Sequence, residues 1–145
     1  MTFISELMTP APVTISPSDS VQRAAQLMDD FNVGSLPVCD GKNLLGIVTD
    51  RDITVRATAA GLDPRATEID AVMSEPVRCC YVDHTAAEVL RQMAQVQIRR
   101  LPVLDARGEL VGMIALGDLA AHGALGVQAA LRNISTPAEP DRAAA

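Results

Sequence analysis

In GIVTDRDITVR, residues 46–56, an apolar run ends in a hydroxyl and a burst of charge. Thr49, Asp50, Arg51 and Asp52 follow one another without a break. An ionised carboxylate can accept hydrogen bonds from two hydroxyls at once, and charged acceptors make the stronger bonds. A threonine placed where a strand turns into a helix can bond a ligand or cap the helix. The open N–H groups of a helix start favour anions. A plainer account competes: Thr49 or Asp50 caps the helix, and Asp52 in its first turn suits the dipole. On these residues alone, the capping account leads.

Other chemistries find less support. No Ser-His-Asp, Cys-His or paired-carboxylate pattern stands in the sequence, and two histidines leave few options for acid–base work, so no catalytic residue is assigned. Asp50 and Asp52, two apart on a helix start, do not make a magnesium site, and no metal ligand is assigned. Cys79 and Cys80 are neighbours on an expected strand and face opposite sides of it. His84 and His122 are near them in sequence, but no Cys-x-x-Cys or His-x-x-x-His spacing supports a metal or redox role. Cys39 reads as core.

The elements that must position the TDRD segment come in two copies. Met8 and Met73 stand 65 residues apart, and Met28 and Met93 keep the same interval. SLPVCD (35–40) falls on RLPVLD (100–105); after one inserted residue, LLGIVTDRDI (44–53) falls on LVGMIALGDL (110–119). Each copy predicts a short strand (13–15 in the first), a capped helix, two hairpin strands (36–39 and 44–48; 101–104 and 110–114) and a closing helix. Ser20 is the first N-cap; Thr85 is the second, with Glu88 completing a capping box. Val21, Ala24, Ala25, Met28 and Phe31 mark one helical face, and Ala86, Val89, Leu90, Met93 and Val96 repeat it. Gly61 is the expected C′ residue of the first closing helix. The unit is therefore β-α-β-β-α, twice, an α+β fold. The expected division is repeat 1 over 1–63, a linker over 64–72, repeat 2 over 73–134 and a disordered tail over 135–145. A half of about 60 residues buries too little surface to be comfortable alone. Packing the two sheet to sheet about a pseudo-twofold axis answers that, with clefts left between the halves.

Bulk properties bound the partners. The 145 residues carry a net charge of −6, a pI of about 4.7 and only 2% aromatics. An acidic chain poor in aromatics argues against nucleic acid and against anionic membranes as partners. No run of about 18 apolar residues predicts a membrane span. The N-terminus has no basic and apolar signal pattern, and three cysteines form no even disulfide framework, so a reducing cytoplasm is expected.

M-T-P near the start, LPV-x-D, GIVTDRDI and the second copy RRLPVLD with LVGMIALGDL resemble a tandem pair of CBS domains, a Bateman module, of the stand-alone bacterial kind. The resemblance covers roughly residues 4–123. It implies a non-enzymatic regulatory, energy-sensing module that binds an adenine ligand in the clefts between repeats: AMP, ADP, ATP, S-adenosylmethionine, sometimes NAD or a cyclic dinucleotide. It implies a homodimer, an unidentified protein target, and no required cofactor beyond magnesium carried by nucleotide phosphates. Thr49 and Asp52 match the family's Ser/Thr-x-x-Asp ribose pattern. Alignment puts Thr14, Ile15, Leu36, Pro37 and Val38 along the base. Arg51, Arg99 and Arg100 are the candidate phosphate cations. Asp118 aligns with Asp52, but Ala115 replaces Thr49, so one good and one weak or empty site are expected. The competing readings are a homodimeric interaction or scaffold protein with vestigial sites, and a redox-responsive dimer through Cys79 or Cys80.

Overall fold

A computed structural model describes residues 2–75, 78–122, 132 and 134; the tail expected over 135–145 lies outside the described residues. Contacts divide the chain into two units. One holds Val13–Val77 and the other holds Met1–Pro12 with Arg78–Asp141. The chain thus parts by contact elsewhere than by sequence similarity, because each repeat's leading residues pack with the other repeat's sheet.

In the unit built around 13–75, helix α1 (Val21–Phe31) starts at Ser20, whose Oγ accepts the Arg23 N–H at 3.1 Å. It ends at Asn32 in the left-handed region. Its buried face is Val21, Ala24, Leu27 and Met28. Two residues of the expected face are corrected. Ala25 is exposed, lying about 90° round from the centre of that face. Phe31 is on the face but is the last helical residue, and is 55% exposed.

Strands β2 (Ser35–Asp40) and β3 (Asn43–Thr49) pair antiparallel, Ser35 opposite Thr49. Instead of a full strand at 13–15, Ile15 alone bridges Val38 in parallel. On the other edge Ser74 bridges Ile47. The leading segment 69–75 is brought here by a 3₁₀ turn, Ile69–Ala71, with Ile69 and Val72 fully buried in this core. Gly46 allows the approach, since a Cβ there would meet Met73 Sδ at 2.9 Å and the Ser74 carbonyl at 3.0 Å. After β3 comes one turn of α-helix, α2 (Asp50–Asp52). The expected closing helix then continues as a π-helix over Ile53–Thr58, and Gly61 follows at φ +72°.

The other unit repeats this plan, with two-residue strands where the first has single bridges. β1 (Thr9–Pro10), β4 (Cys80–Tyr81), β5 (Arg100–Leu104) and β6 (Leu110–Ala115) form a sheet in the order β1-β6-β5-β4, parallel only between β4 and β5. Helix α3 (Ala86–Val96) carries the expected capping box: Thr85 Oγ1 accepts the Glu88 N–H, and Glu88 accepts the Thr85 N–H. Val89, Leu90 and Met93 are its buried residues, while Ala86 and Val96 are half-buried. A 3₁₀ turn at Ile4–Glu6 leads β1 in, and helix α4 (Leu116–Ala121) follows β6. Gly112 stands where Gly46 does, and its Cβ would meet the Thr9 carbonyl at 2.9 Å.

Candidate functional site

The site grows from the end of β3. Thr49 has extended backbone (φ −116°, ψ 163°) and caps α2. Its Oγ1 accepts the Asp52 N–H at 3.0 Å, and Asp52 Oδ2 accepts the Thr49 N–H at 2.9 Å. The Asp50 N–H closes the turn onto the Gly34 carbonyl at 3.0 Å. Capping, the plainer account of these residues, is therefore realised. It also leaves the Asp52 carboxylate at a fixed place with its second oxygen turned elsewhere.

That oxygen, Oδ1, accepts from the Ser74 hydroxyl at 3.4 Å and lies 3.7 Å from Arg56 Nε. Asp52 is only 4% exposed. Burial pushes its carboxyl above the ordinary range, against the opposing pull of the Thr49 bonds, the Arg56 charge and the Ser74 hydroxyl. A carboxylate kept from water and held by long contacts on one oxygen gains from a better donor there.

The other expected site residues are placed as follows. Thr14 is exposed, next to Ile15, whose N–H donates to the Pro37 carbonyl at 3.1 Å and whose carbonyl accepts the Cys39 N–H at 2.9 Å. Ile15, Leu36 and Val38 are core, the last two fully buried; Pro37 is buried too. Arg51 is exposed on α2 in the same unit. Arg99 and Arg100 belong to the other unit and are both exposed, and the Arg99 carbonyl accepts the Leu116 N–H at 2.8 Å. Asp118 repeats half of the capping box there, Oδ2 accepting the Ala115 N–H at 2.8 Å, with no hydroxyl at 115 to answer it.

Sequence reasoning missed Arg56 and Ser74. The signal for Arg56 was its place four residues after Asp52; for Ser74 it was the alignment with Thr9, the residue that follows Met8 as Ser74 follows Met73.

Cys39 and Cys80 are buried thiols pushed up to about 11 and about 12. Cys79 is half-buried and raised as well. That is the opposite of what a reactive thiolate needs. Among the described residues no group of three or more His, Cys, Asp or Glu could hold a metal ion, and no helix is long and apolar enough to cross a membrane.

The CBS domain model matches residues 4–57 and 68–124. A curated relative, the CBS domain-containing protein YhcV of Bacillus subtilis, is 42% identical over 93% of this chain and 96% of its own length. Hypoxic response protein 1 of Mycobacterium tuberculosis is 34% identical over 84% of this chain and 85% of its own. A crystal structure of Hypoxic Response Protein I with two coordinated zinc ions aligns at TM-score 0.77 and 31% identity, over 83% of this chain and 98% of that one. The fold is shared with CBSX2 in complex with AMP (TM-score 0.76, 24% identity, 85% of this chain and 96% of that one). It is shared too with the CBS domain pair of MJ0100 bound to 5′-methylthioadenosine and S-adenosyl-L-methionine (TM-score 0.73, 24% identity, 85% and 96%). The chain belongs to the CBS domain family, with two CBS repeats.

Proposed function

We propose that this CBS pair is a non-enzymatic regulatory module that binds an adenine nucleotide or S-adenosylmethionine, with Asp52 accepting from the ribose hydroxyls. The observation that carries the reading is the buried Asp52 carboxylate at the β3–α2 junction, one oxygen fixed by the Thr49 N–H at 2.9 Å and the other, among the described residues, in the longer contacts of 3.4 and 3.7 Å. Thr49 offers a hydroxyl beside it. Of the residues expected along the base, Thr14 is the exposed one, while the Ile15, Leu36 and Val38 side chains are core and Ile15 spends its backbone groups on Pro37 and Cys39. Arg51 is the phosphate cation on the same unit, with Arg99 or Arg100 as further candidates; magnesium enters, if at all, with the phosphates. Two proteins of this fold hold adenosine compounds, which supports the ligand class at the level of fold. The three free cysteines suit a reducing cytoplasm, and the module works as a homodimer on a protein target.

Thermal unfolding of wild type and Asp52→Asn against AMP, ADP, ATP, S-adenosylmethionine and NAD tests this. A ligand at about a hundred times its dissociation constant adds about 2.7 kcal/mol, roughly 8–10 °C in a chain of this size. The expected result is a shift in wild type that Asp52→Asn loses or sharply reduces. No shift with any of the five would leave Thr49 and Asp52 as caps. The completed capping box favours that second reading, a homodimeric interaction protein whose nucleotide sites are vestigial.

A further inference from the structure

We infer that Arg56 and Ser74 form a latch tying Asp52 to the 69–75 segment, and that a ligand taking up the Asp52 carboxylate releases it. The release half rests on the reading of Asp52 as the ligand's acceptor.

The two carboxylate oxygens differ. Oδ2 holds the start of α2 through the Thr49 N–H at 2.9 Å, and giving it up opens the helix start. Among the described residues Oδ1 meets the Ser74 hydroxyl at 3.4 Å and the Arg56 guanidinium at 3.7 Å, both longer than the Oδ2 bond, so it is the oxygen that can change partners. With Asp52 4% exposed, a ligand hydroxyl reaches Oδ1 only when a side chain now on it moves away. The Arg56 side chain does not move alone. Arg56 Nη1 also donates to the Val72 carbonyl at 3.3 Å and the Met73 carbonyl at 3.1 Å. Ser74 is paired through its backbone to Ile47, at 2.8 Å and 3.2 Å. Exchange at one oxygen is thereby felt by three consecutive residues of the leading segment, the stretch that runs on toward residue 78.

Helical spacing explains how Arg56 comes to reach Asp52, since a residue four positions on lies one turn along the same face. The Leu62 N–H bonds the Ala57 carbonyl at 3.0 Å as the close of a C-cap around the left-handed Gly61, while the Ala59 N–H bonds the Thr54 carbonyl at 2.9 Å, five residues back, which widens that turn. Such widened turns often mark functional places. In the other repeat Thr9 keeps a hydroxyl at the place of Ser74, but His122 stands four residues after Asp118 where this repeat has Arg56, so the guanidinium half of the latch is not written there.

The test is amide hydrogen exchange and ligand titration on the full chain, for wild type, Arg56→Gln and Ser74→Ala. The probes are AMP, ADP, ATP and S-adenosylmethionine. Without ligand, Arg56→Gln should speed exchange of the Met73 and Ser74 amides several-fold and leave those of α3 unchanged. Unchanged Met73 and Ser74 amides refute the latch. With ligand, wild type should show the same local speeding, and Ser74→Ala should bind about fivefold more tightly, one hydrogen bond's worth of competition removed. A merely structural Ser74 would leave affinity equal or lower it, and that result overturns the release. If the ligand-free arm behaves as expected while no probe binds wild type, the nucleotide reading and the release fall together and the tie between Asp52 and 69–75 stands.

Discussion

Removing the Thr49 hydroxyl and adding one at Ala115 should move stability in opposite directions and by unequal amounts. The two positions have nearly the same backbone, φ −116°, ψ 163° at Thr49 and φ −113°, ψ 155° at Ala115, so each accepts the other's residue without strain. In both, the cap residue's own N–H is already held by the third residue's carboxylate, at 2.9 and 2.8 Å. What Thr49→Ala removes is the acceptor for the Asp52 N–H. That donor belongs to a residue 4% exposed. Replacing a cap costs about 1 kcal/mol, and orphaning a buried donor raises this toward about 2 kcal/mol. Asp118 is only half-buried, so water already serves its N–H in part. Ala115→Thr should therefore gain less, about 0.5 kcal/mol. Urea unfolding with the midpoint and slope fitted together reads both, and the slope should not change. A Thr49→Ala loss below about 0.3 kcal/mol would refute the argument, because a buried helix start would then be doing without its cap. An Ala115→Thr gain as large as the Thr49→Ala loss would refute the part that rests on burial.

Two further outcomes follow from the ionisable groups. Burial lifts the Asp52 carboxyl in the folded chain above its ordinary 3.8, so the fold favours the protonated form. The stability this contributes is full below that ordinary value and is lost as pH rises through the raised one. Compared with Asp52→Asn, which does not titrate, wild type should lose ground in urea midpoint from acid toward neutral pH; a difference that stays flat or moves the other way contradicts the assignment. Alkylation by a maleimide in the native state at pH 7.5 should label Cys79 first and leave Cys39 and Cys80 far behind, since both are buried and their thiols are pushed up to about 11 and about 12. Mass spectrometry of the timed products checks the order, and early label on Cys80 would contradict it.

Much of this was legible in the sequence because it is local. Ser20 and Thr85 announce their helices, Glu88 closes its box, and Thr49 with Asp52 does the same within four residues. What could not be read lies in contacts made over distance or in helix geometry. Residues 64–72 read as linker, yet Ile69 and Val72 are fully buried, and Gly46 leaves β3 open to Met73 and Ser74 just after them. Ser74 reaches Asp52 across 22 residues, and no local pattern reports that. Nothing in ITVRAT distinguishes a π-helix from an α-helix, and although the spacing of Arg56 from Asp52 was in plain view, its reach to the Val72 and Met73 carbonyls spans 16 and 17 residues and was not. The Leu27 side of α1 was missed because period alone does not say where the sheet lies.

The exchange of leading segments makes the unit of repetition different from the unit of folding. Cutting the chain between the repeats would strand residues 2–12 on a piece without β6, and would leave β3 without the ribbon that Gly46 was cleared to receive. Each fragment would carry an open strand edge and a spare ribbon shaped for its sister's edge, the combination that invites pairing between chains. A gene for one repeat alone therefore encodes half of two units, and its product finds completion only in a second molecule.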